Sequence, residues 1–173
     1  MNVVYYDMQK DVRKLLDENL YLTISTCDNN GNPWVSNLYF SNTSDLTFYW
    51  YSPVASRHSK LIESNPNVAL CIFNSTAVGD DVTALYIEAS ASVVTDKKEM
   101  AKALVLYGKK MIKTNFVTGK EVYTKFVNSL KDFEGNSPIR LYKAVPEKMW
   151  KLAPSEIYND KYVDSRIEIK LSK

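Results

Sequence analysis

Glycine is scarce in this sequence, and its few glycines follow none of the common nucleotide-binding patterns. Only five glycines occur among the 173 residues. None of them forms GxGxxG, the pattern of dinucleotide-binding Rossmann folds, or GxxxxGK[ST], the pattern of P-loops. Both nucleotide-binding folds are therefore weak interpretations of this chain.

Cysteine and histidine are scarcer still, which argues against several kinds of site. The two cysteines, Cys27 and Cys71, have neither a CxxC partner nor a histidine nearby in sequence, so we expect no disulfide framework and no metal site. So few cysteines are typical of a protein from the reducing cytoplasm. His58 is the only histidine and no GxSxG elbow accompanies it, so a Ser-His-Asp hydrolase is not expected.

The sequence also lacks any long hydrophobic run and any marked excess of charge. No apolar stretch approaches the roughly 18–20 residues of a membrane span. The N-terminal segment is interrupted by Asp7, Lys10 and Asp11, unlike a signal peptide. The net charge of +2 predicts neither nucleic acid nor an anionic membrane as a partner. A hydrophobic content of 45% and a length of 173 residues instead indicate one globular domain over residues 1–173.

Strand and helix patterns alternate with clear turn signals in the first half of the chain. A helix is predicted over Met8–Asn19 with Asp7 as its cap, because apolar residues recur there at helical spacing. The elements that follow are β-branched and aromatic runs bounded by turn residues, and one short helix. They are strands Leu20–Cys27, Trp34–Phe40, Leu46–Tyr51 and Asn67–Phe73, with the helix Ser56–Ser64 before the last strand.

The second half of the chain adds helices and further strands. Asp96 opens a predicted helix from Lys97 to about Asn115, and another helix spans roughly Lys120–Phe133, so a helical insertion covers about residues 97–133. Six or seven strands joined mostly as hairpins predict a closed or half-open antiparallel barrel with peripheral helices. The later strands are Ala84–Thr95, Ile139–Val145, Lys148–Leu152 and Arg166–Leu171, with an irregular loop over Pro154–Asp164.

One strand-to-helix corner concentrates groups that bind phosphate. A helix N-terminus attracts anions through its free N–H groups and dipole, and Arg57 adds a fork of donors suited to phosphate. The alternative is that a short surface helix simply exposes its basic residues to solvent. The side chains at this corner are Ser52, Ser56, Arg57, His58, Ser59 and Lys60.

Five motifs at matching spacing resemble the pyridoxamine 5′-phosphate oxidase-like family of FMN-binding split barrels. They are Gly31-Asn32-Pro33, the strand Trp34–Phe40, Tyr51-Ser52, Ser56-Arg57-His58 and Asn65-Pro66. From Pro33 to Phe73 the spacing matches the oxidases of this family without a gap. The resemblance implies a mainly β (α+β) fold, a six- to seven-stranded antiparallel split β-barrel with peripheral helices. It also implies a homodimer with FMN at its interface, so that the second chain completes the site.

The resemblance implies that one strand faces the isoalloxazine ring of FMN. Its residues are Ser36, Asn37, Leu38 and Tyr39, and Tyr51 lies at the end of the neighbouring strand. Core packing is the alternative for Leu38, Tyr39 and Tyr51. The aromatic residues of the chain are otherwise expected in the barrel core and the dimer interface.

The resemblance places a second group of residues at the FMN phosphate. Ser52 stands in the position of a phosphate-side threonine, and Arg57, preceded by Ser56, would hold the phosphate. His58 stands where the family has lysine, and Lys60 is close enough along the helix to substitute for that lysine. The alternative for His58 is an ordinary position on a surface helix.

The sequence also departs from the vitamin B6 oxidases themselves. Those enzymes have an arginine at the position of Ser36, a lysine at Ser41 and an Arg-Gln pair at Thr83-Ala84. Their C-terminal tryptophan and arginine, which close over flavin and pyridoxal phosphate, have no clear match. We therefore expect a member of the family with FMN and a different, unidentified substrate.

The expected function is a cytoplasmic, homodimeric, FMN-binding oxidoreductase that exchanges a hydride or electrons with a small substrate. No catalytic acid–base pair is predicted, because in such proteins the flavin performs the redox chemistry. One alternative is a non-catalytic flavin- or haem-binding carrier or sensor of the stress-protein type. Another is a family member that uses the deazaflavin F420 in the same groove.

Overall fold

Ten strands and three α-helices make up most of the described chain. The computed structural model describes residues 3–78, 82–116, 130–153 and 156–171. The helices are α1 (Val3–Glu18), α2 (Arg57–Ser64) and α3 (Lys97–Lys113), and a short 3-10 helix spans Leu130–Phe133. The strands are β1 (Tyr21–Cys27), β2 (Pro33–Tyr39), β3 (Ser41–Asn42), β4 (Phe48–Pro53), β5 (Asn67–Phe73), β6 (Ala84–Val93), β7 (Ile139–Leu152), β8 (Glu156–Tyr158), β9 (Lys161–Val163) and β10 (Arg166–Glu168).

Eight of these strands form one curled antiparallel sheet, in which seven follow the order β2-β1-β5-β6-β7-β4-β3 and β10 pairs with β7. This order puts β2 at one end of the sheet and the β3–β4 hairpin at the other. One edge of β7 pairs with β6, while its other edge pairs first with β4 and then, further along, with β10. The arrangement confirms the predicted mainly β, antiparallel split barrel with peripheral helices.

The core fills the inside of the curled sheet. Burial alternates along β1, where Leu22, Ile24 and Thr26 are buried and the residues between them are not. This period of two is what a strand with one face on the core requires. The aromatic strand β4 contributes Phe48 and Trp50, both completely buried. Removing this apolar surface from water is the main favourable contribution to folding.

Helix α3 covers the outer face of β3 and β4. Asp96 caps the helix by accepting a hydrogen bond from the Glu99 backbone N–H (2.7 Å), as predicted. The Glu99 carboxylate is bound by the Tyr49 hydroxyl (3.0 Å) and the Lys143 ammonium (2.8 Å), which come from β4 and β7. The buried stripe of the helix contains the predicted residues Met100, Ala103, Leu104, Tyr107 and Met111.

Helix α3 is also joined to the end of α1. The Lys110 ammonium donates to the Leu16 carbonyl oxygen (3.0 Å) and lies 3.4 Å from the centroid of the Phe40 ring. The carbonyl and the ring face both favour the charged amine. Burial opposes them and lowers the pKa of Lys110 to about 7.

Several predicted element boundaries are wrong. The first helix begins at Val3, so Asp7 lies inside it and does not cap it. The two strands predicted on either side of Pro146 are one continuous strand, β7, in which Glu147 forms a bulge opposite the step from Glu88 to Ala89. A bulge is one of the few places where a sheet accepts proline, and for that reason Pro146 does not end the strand.

The segment predicted as an irregular loop contains a hairpin. Strands β8 and β9 pair with each other, and Asn159 and Asp160 connect them with positive φ angles of 50° and 60°. Two left-handed residues in a two-residue loop are typical of a type I′ hairpin turn. The last strand is shorter than expected and ends at Glu168.

The helical insertion is described only in part. Helix α3 ends at Lys113, close to the predicted end, and the chain forms a 3-10 turn at Leu130–Phe133. Most of the second predicted helix, Lys120–Phe133, lies outside the described residues. None of the helices in the described ranges is long and apolar enough to cross a membrane.

Candidate functional site

The two ends of the sheet meet at the first turn of α2, where His58 joins them. His58 Nδ1 lies 3.2 Å from Ser36 Oγ of β2, and Nε2 lies 2.8 Å from Ser52 Oγ of β4. Ser36 and Ser52 both point to the inside of the sheet, since they alternate with residues that face outward. A single imidazole ring therefore bridges the split between β2 and β4.

Serines of α2 complete this arrangement. Ser56 is the N-cap, as predicted, and its Oγ accepts from the Ser59 backbone N–H (3.4 Å). The same oxygen donates to Ser59 Oγ (2.8 Å) and lies 3.1 Å from His58 Nε2. We call Ser36, Ser52, Ser56, His58 and Ser59 the serine–histidine corner.

Arg57 lies beside the corner on the solvent side. Its guanidinium carbon is 4.5 Å from the centroid of the Trp34 ring, a cation–π contact. The Trp34 Nε1–H in turn donates to Ser36 Oγ (3.1 Å), so β2 both supports Arg57 and contacts the corner. The guanidinium donates no hydrogen bond to any described residue, which leaves its N–H groups available to a ligand.

Burial keeps the imidazole of His58 at the corner uncharged. His58 is only 8% exposed, and this burial lowers the pKa of His58 below its ordinary value. The ring is therefore neutral at neutral pH, when nothing is bound. Arg57 is then the permanent positive charge at the corner, where the related oxidases would add a lysine at the position of His58.

Tyr39 and Tyr51 are not part of the corner, although both were predicted near the flavin. They lie on the outward face of β2 and β4, where their rings pack at a tilt against Tyr107 of α3, at centroid distances of 5.0 Å and 5.1 Å. Tyr39 also contacts Phe116 (4.9 Å), and Tyr51 contacts Phe133 (5.9 Å). We call these five residues the aromatic cluster. Burial raises the pKa of Tyr39, of Tyr51 and of Tyr107.

The remaining predicted residues are dispersed around the corner. Leu38 is buried in the main core, as the alternative interpretation predicted. Asn37 is exposed on the opposite face of β2, where its Oδ1 accepts from Thr23 Oγ1 (2.8 Å). Lys60 is exposed, and its side chain makes no hydrogen bond or ion pair with a described residue. Ser41, at the position of a family lysine, is 1% exposed and its Oγ has no partner among the described residues.

The structure thus brings together Ser36, Ser52, Ser56, Arg57 and His58, and it separates them from Tyr39, Tyr51 and Asn37. Sequence reasoning missed the place of Trp34 at the corner: this residue was expected in the barrel core or the dimer interface, and it is 39% exposed beside Arg57. The sequence did contain a signal for its place. Trp34 is two residues from Ser36 on a strand, and residues at this spacing share a face, so Trp34 is expected beside Ser36.

The donors at the corner fit a phosphate group. Hydroxyls, the free N–H groups at the N-terminus of α2 and the guanidinium of Arg57 are the groups that bind phosphate in proteins. Strand β2 pairs only with β1, so its outer edge carries backbone groups with no strand partner among the described residues. Such groups are strong donors and acceptors for the polar edge of a flat ring. These features fit FMN.

A second concave surface lies on the outer face of the sheet, across β1, β5, β6, β7 and β10. It encloses about 410 Å³. Cys71 is half-buried at this surface, and burial raises the pKa of its thiol. The guanidinium of Arg166 stacks on the Tyr86 ring at 4.4 Å beside Trp150. We call this surface the outer groove.

Among the described residues, no group of three or more histidine, cysteine or acidic side chains is placed to hold a metal ion.

Several solved structures share this fold at low sequence identity. HutZ, a haem storage protein from Vibrio cholerae, is 19% identical with a TM-score of 0.61, and the match covers 81% of this chain and 91% of HutZ. ChuZ from Campylobacter jejuni is 17% identical with a TM-score of 0.64, covering 94% of this chain and 63% of ChuZ. A Listeria innocua protein provisionally named a pyridoxamine 5′-phosphate oxidase is 17% identical with a TM-score of 0.56, covering 82% and 95%.

Among proteins with curated descriptions, none matches this sequence significantly. The sequence pattern of the pyridoxamine 5′-phosphate oxidase family, in contrast, matches residues 8–153, most of the chain. The match includes every residue of the serine–histidine corner, together with Arg57 and Trp34. The chain belongs to the pyridoxamine 5′-phosphate oxidase family.

Proposed function

We propose that this protein binds FMN at the serine–histidine corner and acts as an oxidoreductase on a small substrate. The observation that carries the proposal is the convergence of Ser36, Ser52, Ser56 and His58 at the N-terminus of α2, with Arg57 free beside them. These residues come from three separate elements. Nothing in the packing of a barrel core requires a cluster of hydroxyls next to an exposed arginine.

In this proposal the chain binds and orients the cofactor. Arg57 and the free N–H groups of α2 hold the phosphate, and the outer edge of β2 presents backbone groups to the ring. The flavin supplies the capacity to accept and donate a hydride or electrons. The stacking of Arg57 on Trp34 limits the motion of the guanidinium before the ligand arrives, which reduces the entropy lost on binding.

We propose further that the protein is a homodimer and that a second copy completes the site. The outer groove supports this proposal, because Cys71, Tyr86 and Trp150 present a largely apolar surface on a face of the sheet that no helix covers among the described residues. Contiguous apolar surfaces of this kind mark interaction sites. The substrate would then bind against the face of the flavin at the interface.

Haem binding is the main competing proposal, because HutZ is a haem storage protein with the same fold. The environment of His58 weighs against a histidine-ligated haem. His58 is the only histidine, and both of its ring nitrogens are occupied by serine hydroxyls. An iron–imidazole bond would require breaking these buried hydrogen bonds. F420 would use the same phosphate donors and is distinguished only by its spectrum.

A visible absorption spectrum of the purified protein, followed by titration with FMN, tests the proposal. We expect flavin absorption or saturable quenching of added FMN, and bleaching when a suitable electron donor is supplied. A Soret band after addition of haem, without any binding of FMN, would replace the proposal with haem binding. Flavin binding without reduction by NADH or NADPH would favour a carrier or sensor.

A further inference from the structure

The hydrogen bonds around His58 fit one arrangement of protons in the neutral ring. Ser56 Oγ donates its only proton to Ser59 Oγ (2.8 Å). It can therefore only accept from the ring, and we assign the proton of the neutral imidazole to Nε2, which is 3.1 Å away. The same N–H points toward Ser52 Oγ, 2.8 Å from Nε2.

The other ring nitrogen must then accept. His58 Nδ1 takes the hydroxyl proton of Ser36 at 3.2 Å, and Ser36 Oγ accepts from the Trp34 Nε1–H at 3.1 Å. An indole nitrogen can only donate, so the direction of the bond from Trp34 to Ser36 is fixed, whereas the direction of the bond from Ser36 to His58 follows from the Nε2–H tautomer. In the neutral state the Ser36 proton is used within the protein, and Ser36 has no donor to offer a ligand.

We propose that His58 takes up a proton when the phosphate group of a ligand binds, and that this proton converts Ser36 into a phosphate donor. The inference rests on the proposed FMN site. With both nitrogens protonated, His58 Nδ1–H donates to Ser36 Oγ. Ser36 then accepts from both His58 and Trp34 and directs its own proton away from the ring, toward the ligand.

One proton thus replaces two permanent charges. The vitamin B6 oxidases that the sequence resembles have an arginine at the position of Ser36 and a lysine at His58. Here the protonated ring provides a positive charge, and the redirected hydroxyl provides a donor. The corner offers its full set of phosphate donors only when the proton is present, which makes His58 and Ser36 specificity determinants for phosphorylated ligands.

The charges around the ring support this coupling. Burial lowers the pKa of His58, so the imidazole of the free site is neutral, and a phosphate monoester carries about −1.5 to −2 charges at pH 7. Asp28, in the turn after β1, has its pKa lowered in part by Arg57, so the two charges interact. Lys60 of α2 is exposed to solvent, and Ser36 of β2 and Ser52 of β4 add no ionisable group.

The single histidine makes the proton directly observable. We would titrate the imidazole of the full-length protein by NMR, with any histidine tag removed, in the free state and with saturating FMN or riboflavin. FMN is expected to raise the pKa of His58 by about one unit or more, the scale of an opposite charge at close range. Riboflavin lacks the phosphate and is expected to leave the pKa of His58 unchanged.

The pH dependence of binding gives a second readout. For the wild-type protein, FMN affinity should fall by up to about tenfold per pH unit above the pKa of free His58, because one proton is taken up. His58→Lys carries a permanent charge and should bind FMN with little dependence on pH. His58→Gln keeps a donor and an acceptor without titrating, and should bind weakly at every pH.

Two results would overturn the inference, and they differ in what they mean. If FMN binds without changing the pKa of His58, and if its affinity does not depend on pH, the proton coupling is wrong and the FMN site stands. If the wild-type protein binds no FMN at any pH, the proposed function and this inference are both wrong.

Discussion

Arg57 is the residue on which phosphate binding should depend most. Replacing it with alanine removes a charged donor, and Arg57→Ala is expected to cost about 1.5–3 kcal/mol of FMN binding free energy. Riboflavin affinity should hardly change, since riboflavin has no phosphate. Titration of flavin fluorescence measures both ligands. Arg13→Ala is a matched control, because Arg13 is an exposed arginine on α1, away from the corner.

Equal losses for FMN and riboflavin would contradict this placement of the phosphate. They would mean that Arg57 contacts the ring or the ribityl chain, or that the substitution disturbs the stacking on Trp34.

Leu38 and Asn37 are neighbours on β2 with opposite surroundings. Leu38 is in the main core, so Leu38→Ala is expected to lower the free energy of unfolding by about 2–5 kcal/mol, as for other buried leucines. Asn37 is exposed, and Asn37→Ala should cost no more than about 1 kcal/mol through its bond to Thr23. Urea unfolding of the two variants decides between a core role and a surface role for Leu38.

At the level of residues, the sequence predicted the corner better than its surroundings. Ser52, Ser56 and His58 lie within seven positions of one strand–turn–helix, so local structure alone brings them close. The orientation of Tyr39 and Tyr51 depends on α3, which is more than fifty residues further along the chain. Alternation predicts that the two tyrosines face away from the corner, but it does not reveal what covers them.

At the level of elements, Lys110 links the packing of α3 and α1 to pH. Its pKa is about 7 in the folded protein and about 10.4 in an unfolded chain, so the unfolded state binds more protons between these values. The unfolding free energy should therefore rise with pH across this window, by at most about 1.4 kcal/mol per unit.

Lys110→Met removes the titrating group and keeps most of the side-chain volume. The difference in unfolding free energy between the wild type and this variant should change steadily from about pH 7 to pH 9.5, which urea unfolding at several pH values would measure. Comparing the two proteins cancels the contribution of the tyrosines. A difference that does not depend on pH would show that Lys110 keeps an ordinary pKa.

The predicted bounds of strands were wrong where the residues that form turns and bulges were misinterpreted. Pro146 was taken as the end of a strand, whereas it sits next to a bulge inside β7. The Asn159-Asp160 pair was included in an irregular loop. Both residues tolerate positive φ, and such a pair between two strand-like segments indicates a hairpin. The two-residue strand β3 was not predicted, and the remaining strands were predicted to within a few residues because they are rich in aromatic and β-branched side chains.

At the level of the whole molecule, FMN should stabilise the folded state, because a ligand that binds only the native protein shifts the unfolding equilibrium. At one hundred times the dissociation constant the gain is about 2.7 kcal/mol, or roughly 5–10 °C in Tm for a chain of this size. A thermal melt with and without FMN measures the shift. The Arg57→Ala variant, at the same FMN concentration, should show a clearly smaller one.

The proposed homodimer makes a separate prediction at this scale. Light scattering after size exclusion should give twice the mass of the chain, and an arginine or glutamate in place of Ala69 at the outer groove should reduce it. Ala69 lines the groove and is exposed, so the substitution adds charge without disturbing the core. A monomeric wild-type protein that still binds FMN would mean that one chain is sufficient for the site.

The curled sheet as a whole could be predicted from the sequence only through the family resemblance. Local patterns give hairpins, but β1 pairs with β5 and β4 pairs with β7, and these partners are distant in sequence. Their pairing depends on long-range packing that periodicity does not encode. The motifs between Pro33 and Phe73 supplied this missing information, since their spacing is shared with a known fold.

The β8–β9 hairpin offers a practical consequence for engineering. Within the described part of the chain its strands pair with each other and with no further strand, and Ile157 and Tyr158 remain largely exposed. Exposed turns outside the core are the sites where proteins best accept inserted domains. A fluorescent protein placed between Asn159 and Asp160 should leave the barrel folded, and energy transfer between it and the bound flavin would report cofactor occupancy inside living cells.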